Sequence, residues 1–327
     1  MKKAISSIDL TRFILAYFVL VIHFRPFLDI SETLDLILSH GVSRLAVPFY
    51  LMSAGYFLNL DKIFETIKHY LKLYLKWSLI YTPIIIFSFI YSDASFLENF
   101  LILLRDIFFQ GTVIHLWYLP HSALALFLFY LLQKRFKFKT ILMFAFTLYT
   151  VGTFADAYSS FISDTSIFYS LQQAYLTIFV SSRNGLFFAL FYVSLGFYFK
   201  EIKLLSLTKA IIGFILSFGA MLFELMVIIG PSHPVDYNFY FSLIFEMFFL
   251  FQIVLNVHLK ERAIYIHLRQ LASNIYFSHM LIFYVAMFIF GNYAFSLNHT
   301  QRFLLAALLT SLICGIIEAV KAKKLKQ

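Results

Sequence analysis

The chain has 327 residues, 61% of them hydrophobic and only 13% charged, with a mean hydropathy of +0.83. These values exclude a soluble globular domain with a charged surface and predict an all-α, polytopic membrane protein. The formal net charge of +9 is spread over loops on one side, as membrane topology requires, and does not point to nucleic acid.

Reading for apolar stretches near the roughly 17 to 25 residues that cross hydrocarbon gives ten spans: 8–28, 41–60, 74–91, 115–132, 140–155, 185–199, 207–229, 237–257, 271–291 and 302–320. Lysine placement is an independent check, because orientation depends on loop cations and not on span hydropathy. With a cytoplasmic N-terminus, all 17 lysines fall on the cytoplasmic side, from Lys2 and Lys3 through the 62–76, 134–139 and 200–209 loops and Lys260 to Lys321 and Lys326. Both termini are therefore expected in the cytoplasm. Six of the nine arginines break this pattern: Arg12, Arg25, Arg44, Arg105, Arg183 and Arg302 lie inside spans or toward the outer face. Arg25, Arg105 and Arg302 read as interfacial anchors. No linker or charged tail interrupts the spans, so residues 1–327 read as one integral-membrane domain without a soluble appendage. Lys2 and Lys3 imitate a secretory signal, but no cleavage site follows and the first span is expected to be retained.

In chain order, the first span carries Arg12 and His23. Eleven residues at 100° each bring them to one face, about 16 Å apart along a helix. An ionisable group at membrane depth must face protein or a water-filled cavity, so the pair is a candidate site. The imidazole, with an ordinary pKa of about 6.5, suits general-base work. The second span begins with Arg44 and then Pro48; Arg44 starts at the depth of His23 and could stabilise an oxyanion there. Ser53, Ala54 and Gly55 are small residues that let helices approach.

Two outer connections hold amphipathic stretches, Phe96 to Phe109 and Tyr169 to Val180, expected to lie on the interface and wall an outward cavity or cap the bundle. His115 and Trp117 open the fourth span; Trp117 alone reads as an interfacial belt residue. The 134–139 turn carries Arg135 and Lys137. Ser181, Ser182, Arg183 and Asn184 open the sixth span as a donor cluster suited to an anion or a sugar hydroxyl. Glu224, Glu246 and His279 lie at depth; Glu246 reads as a counter-ion, a proton acceptor or a packing residue. Cys314 stands alone and carries no redox message. Metal-ligand and nucleotide-loop spacings are absent from the sequence, so no metal is expected.

Five motifs in order carry a resemblance: Ile8-Asp9-Leu10-Thr11-Arg12 with His23; Ser43 to Phe49 with Ser53 to Phe57; His115 to Leu119; Ser182 to Phe187 with Gly196; and Ile275 to His279. Across nearly the whole chain the sequence resembles acyltransferase family 3, a family of bacterial integral-membrane O-acyltransferases. That resemblance implies transfer of an acyl group, usually acetyl, from cytoplasmic acyl-CoA to a hydroxyl of a glycan or lipid-linked sugar at the outer face. It also matches Arg12 and His23 to the family's arginine and histidine motif. The Ser182 to Phe187 run resembles the membrane part of serine racemases linked to glycopeptide resistance.

The expected mechanism has acetyl-CoA bound from the cytoplasm, its phosphates on Arg135 and Lys137 and its pantetheine arm passing Arg12. His23 is the base and Arg44 the charge stabiliser. Arg183, Asn184, His115, Trp117, Glu246 and His279 are expected to bind substrate. The bilayer of the bacterial cytoplasmic membrane is the surrounding partner, and a homo-oligomer is left open. The alternatives are a transporter of a small polar metabolite such as serine, for which no internal repeat is evident, and a scaffold protein.

Overall fold

A computed structural model describes residues 5–232, 234–291 and 296–324, with side chains through Lys321. Lys2, Lys3 and Lys326, part of the lysine pattern, lie outside the described residues. The described chain is all-helical, without strands, in thirteen α-helices joined by short 3₁₀ and π turns. They are α1 Ser6–Phe24, α2 Glu32–Asp35, α3 Ala46–Phe57, α4 Ile63–Ile90, α5 Phe96–Phe109, α6 Tyr118–Gln133, α7 Phe138–Phe154, α8 Ile167–Phe179, α9 Leu190–Tyr198, α10 Leu207–Phe223, α11 Phe241–Asn256, α12 Ala263–Phe290 and α13 His299–Lys324.

Six helical runs are long and apolar enough to cross a membrane: Ser6–Phe24, Leu60–Ile90, Phe96–Gln133, Leu207–Ser232, Ala263–Phe290 and His299–Lys321. The expected count of ten is approximate: three of the remaining spans are the shorter apolar helices Phe138–Phe154, Gly185–Tyr198 and Phe241–Asn256, and the second is the 12-residue α3. Large apolar side chains stand exposed along α4, α10, α12 and α13, which is what a hydrocarbon solvent permits and water does not.

The helices group into two compact units, with the boundary inside α3 after Tyr50. The first comprises Leu51–Lys203 and Ser232–Phe241. Its centre is α9, buried continuously from Leu190 to Gly196, with α6 and α7 packed on it. Gly55 of α3 and Gly196 of α9 permit main chain to meet main chain. A Cβ on Gly55 would lie 2.0 Å from the Val193 carbonyl oxygen, and one on Gly196 would lie 2.0 Å from that of Met52. The helix α5 starts with a capping box, in which the Ser95 hydroxyl accepts from the Glu98 N–H at 3.2 Å and the Glu98 carboxylate accepts from the Ser95 N–H at 2.8 Å.

The second unit comprises the described parts of Lys2–Tyr50, Leu204–Pro231 and Ser242–Gln327. In it α1 packs along α12 and also touches α13. Asp29, in the turn after α1, accepts from the first-turn N–H of Thr300 at 2.6 Å, and the Thr300 hydroxyl donates to the Pro26 carbonyl at 2.6 Å. An outside carboxylate thus caps α13.

Two outcomes are expected. Replacing Gly55 or Gly196 with Ala should abolish monodisperse protein on size-exclusion chromatography in detergent. Gly219→Ala, at a position where a Cβ meets nothing within 4 Å, should be neutral or stabilise by up to about 1 kcal/mol. The second concerns pH. The Thr300 N–H holds the Asp29 carboxyl below its ordinary 3.8, so this tie is complete above that value and is lost as pH falls through the lower folded-state value. The melting-temperature deficit of Asp29→Ala should be present at about pH 6 and shrink progressively as pH falls below 3.8; a deficit that does not shrink rejects the cap.

Candidate active site

In the second unit, polar groups line up along α1. At the end nearest the N-terminus the Ser7 hydroxyl donates to the Val254 carbonyl at 2.7 Å. Asp9 is buried, with Arg12 Nη1 at 3.8 Å from one carboxylate oxygen and Arg269 Nη1 at 3.7 Å from the other. The Tyr50 hydroxyl donates to the Arg12 carbonyl at 2.7 Å. The helix runs unbroken from Ser6 to Phe24, so Arg12 and His23 keep the shared face that their spacing gives.

His23 lies against His279 of α12, with ring centroids 5.3 Å apart at 36°. His279 is fully buried, and its Nδ1 is 2.8 Å from the Tyr276 carbonyl and 3.2 Å from that of Ile275. Carbonyls only accept, so Nδ1 carries the proton and Nε2 is left as the acceptor. The structure therefore joins two histidines that the sequence placed in spans one and nine.

Beyond the other end of α1, a π turn, Leu36–Gly41, runs into a 3₁₀ turn, Val42–Leu45, that packs on α1. Arg44 is buried and its Nη2 lies 3.2 Å from His40 Nδ1. A guanidinium only donates, so His40 Nδ1 accepts and Nε2 carries the proton, 3.8 Å from Asp35 Oδ2. Arg25 donates to that same oxygen through Nε at 2.9 Å and Nη2 at 2.5 Å. Arg25 is thus ion-paired, not merely an interfacial anchor. His40 and Asp35 escaped the sequence reading. The i,i+4 spacing of His40 and Arg44 was a usable signal; the five-residue spacing of Asp35 and His40 was not, because it aligns only on a π turn.

The carboxylates divide. Glu224 accepts from the Ser242 N–H at 2.6 Å at the start of α11. Glu246 is fully buried, and neither carboxyl oxygen has a hydrogen-bond partner among the described residues.

In the first unit, His115 is buried with its ring 5.2 Å from that of Tyr81. Trp117 is also buried, and the Arg183 guanidinium stacks 4.8 Å over its ring. A belt residue would face the headgroups; this one is a platform for a cation. Arg183 Nη1 donates to Asn238 Oδ1 at 2.8 Å, while Asn238 donates to Asp156 through its backbone N–H at 2.8 Å and Nδ2 at 2.7 Å. The partners Asn238 and Asp156 gave no sequence signal.

Asn184 is spent on the fold: its Oδ1 accepts from the Leu186 and Phe187 N–H groups at 2.9 and 3.1 Å, and its Nδ2 donates to the Tyr175 hydroxyl at 2.6 Å. Asn184 thereby caps the π turn Gly185–Ala189. Arg135 and Lys137 stand exposed at the turn between α6 and α7.

A helical membrane scaffold with half-buried Arg12 and His23 along α1 and buried His279 and Arg44 beside it defines an integral-membrane class, and the comparisons specify it. The model of an acyltransferase domain matches residues 5–319. The chain belongs to the acyltransferase 3 family. Curated relatives include two proteins named amino-acid racemase from Enterococcus faecalis, 32% identical over 61% of this chain and 34% over 64%. A third, named serine/alanine racemase, from Enterococcus gallinarum, is 29% identical over 77% of it. The matches span 29%, 31% and 37% of those proteins, so the chain covers about a third of their length. No solved structure matches the chain.

Asp156→Ala would strand the two buried Asn238 donors and loosen the support of Arg183. It should cost about 1 to 3 kcal/mol, read as a lowered melting temperature in detergent, whereas Lys137→Ala should leave stability unchanged.

Proposed function

We propose that the chain is an O-acyltransferase of the bacterial cytoplasmic membrane, moving an acetyl group from cytoplasmic acetyl-CoA to a hydroxyl of a cell-envelope or exported glycan. The observation that carries this reading is the polar line along α1, from Asp9, Arg12 and Arg269 through His23 and His279 to the Arg44 turn. Such a line suits a donor whose phosphates stay in the cytoplasm while its thin arm reaches the chemistry.

Exposed Arg135 and Lys137 suit phosphate oxygens, and Arg12 suits the entering arm. His23 removes the proton of the acceptor hydroxyl as its oxygen attacks the thioester carbonyl. The new O–C bond forms, the C–S bond breaks, and the thiolate leaves with the proton that His23 returns. Arg44, held by His40, stabilises the transient oxyanion. His279 and the Asp35–His40 pair are positioning groups. The Arg183–Trp117 stack offers an aromatic face and a cation of the kind that sugar rings use.

A second reading, to which the relatives' names lend the substrate class and nothing more, is that the chain handles a small amino acid such as serine and moves it across the membrane. Uptake of labelled serine into proteoliposomes without acyl-CoA is its sign.

Under acyl transfer, His23→Ala should lower the rate of envelope-glycan acetylation by about a hundredfold or more at unchanged membrane abundance, as read by mass spectrometry of released glycans. Normal acetylation in that variant rejects His23 as the base.

A further inference from the structure

Four charged or titratable side chains form a chain of contacts beyond the end of α1. Arg25 donates to Asp35 Oδ2, His40 Nε2 lies 3.8 Å from that same oxygen, and Arg44 Nη2 lies 3.2 Å from His40 Nδ1. The His40 side chain is 15% exposed and that of Arg25 40%, and Asp29, Glu32 and Thr33 in the same connection are exposed. The segment lies between the first two apolar spans, on the side that the lysines avoid, so the medium there reaches the imidazole.

A neutral imidazole has one N–H and one lone pair. Here the N–H belongs to Nε2, on the Asp35 side, and the Nδ1 lone pair receives Arg44. A second proton can enter only at Nδ1, the atom to which Arg44 donates. Imidazolium and guanidinium both only donate, so the contact has no acceptor left, and two positive charges face each other across 3.2 Å. Asp35 favours the imidazolium and Arg44 opposes it, but the link between His40 and Arg44 is lost whichever prevails. His40 lies on the π turn Leu36–Gly41 and Arg44 on the 3₁₀ turn that follows. Neither turn has the hydrogen-bond geometry of a regular α-helix, so the imidazole is one of the ties that fix Arg44.

The elements packed on the π turn carry further charged and titratable groups: Asp9, Arg12 and His23 on α1, Glu32 on α2, Lys209 on α10, and Glu224 on the π turn Glu224–Ile229. Asp9 is engaged with Arg12 and Arg269 near the start of α1, and Glu224 accepts from the Ser242 N–H.

We propose that His40 is a proton-operated latch on Arg44: the guanidinium is held while the imidazole is neutral and released when the medium protonates it. The contact is complete at alkaline pH and is lost as pH falls. The latch stands on the contact geometry. Its consequence rests on the acyl-transfer reading, in which Arg44 faces the oxyanion and an acidified medium on that side slows transfer by freeing it.

The test uses the full chain in nanodiscs, labelled with nitrogen-15 in histidine and arginine, and reads protonation by NMR with no turnover involved. His40→Gln and Arg44→Lys identify the two sets of signals by their loss. Between about pH 8 and about pH 5, either side of the ordinary imidazole value of about 6.5, His40 should pass from the Nε2–H tautomer to the imidazolium. The Arg44 Nη signals should shift with the same midpoint. Arg44→Gln should raise that midpoint and Asp35→Asn should lower it, each by about 1 unit, because they remove charges of opposite sign. In His40→Gln, whose amide oxygen accepts but does not titrate, the Arg44 signals should stay constant. A His40 that keeps one protonation state throughout, Arg44 signals that ignore its titration or persist in titrating in His40→Gln, or midpoints that move the opposite way would overturn the latch. The unmutated chain decides the first two points even where a variant fails to fold. Absent acetylation would overturn the acyl-transfer reading and leave this titration untouched.

Discussion

A charge buried from water must be held by another part of the chain, and the second unit is organised around that requirement. Asp9 sits between two guanidiniums from α1 and α12, and Asp35 takes Arg25 with His40 beside it. Each buried carboxylate gives up hydration that only a well-placed partner offsets. These ties lie at and just beyond the two ends of α1. Between them His23 has little freedom to leave the ring of His279, and the candidate chemistry inherits its position from the ion pairs on either side.

Much of the scaffold was legible because bilayer physics writes itself into residue order. The stretch Phe96 to Phe109 was readable to the residue, since its apolar periodicity coincides with the Ser95–Glu98 capping box. The second amphipathic stretch differs from α8 by two residues at its start and one at its end. The exclusion of lysine from one side and the retention of arginine there pointed to Arg12, Arg44 and Arg183 as engaged groups. Their partners were not legible. Asn238 lies 55 residues from Arg183, and Asp156 lies 82 from Asn238, distances over which no local period operates. Trp117 was misjudged as a belt residue because sequence gives its depth along a helix but not whether a cation will cover it.

Irregular helix accounts for a further part of what was missed. Three π turns, Leu36–Gly41, Gly185–Ala189 and Glu224–Ile229, each hold or adjoin a polar group of interest: His40, Asn184 and Glu224. A π turn inserts an extra residue and rotates everything after it, so faces assigned at 100° per residue cease to hold. The same widening lets Asp35 reach a histidine five positions on.

The meeting of α3 and α9 through Gly55 and Gly196 has an implication for how this protein can change. Most helix contacts are adjustable: one side chain shrinks, its neighbour grows, and the axes stay apart by about the same amount. Where peptide groups touch directly there is nothing to trade, so drift at surrounding positions cannot compensate for a methyl gained at either site. A slide of one helix along its axis is likewise handed on to the other, since no flexible layer intervenes to absorb it.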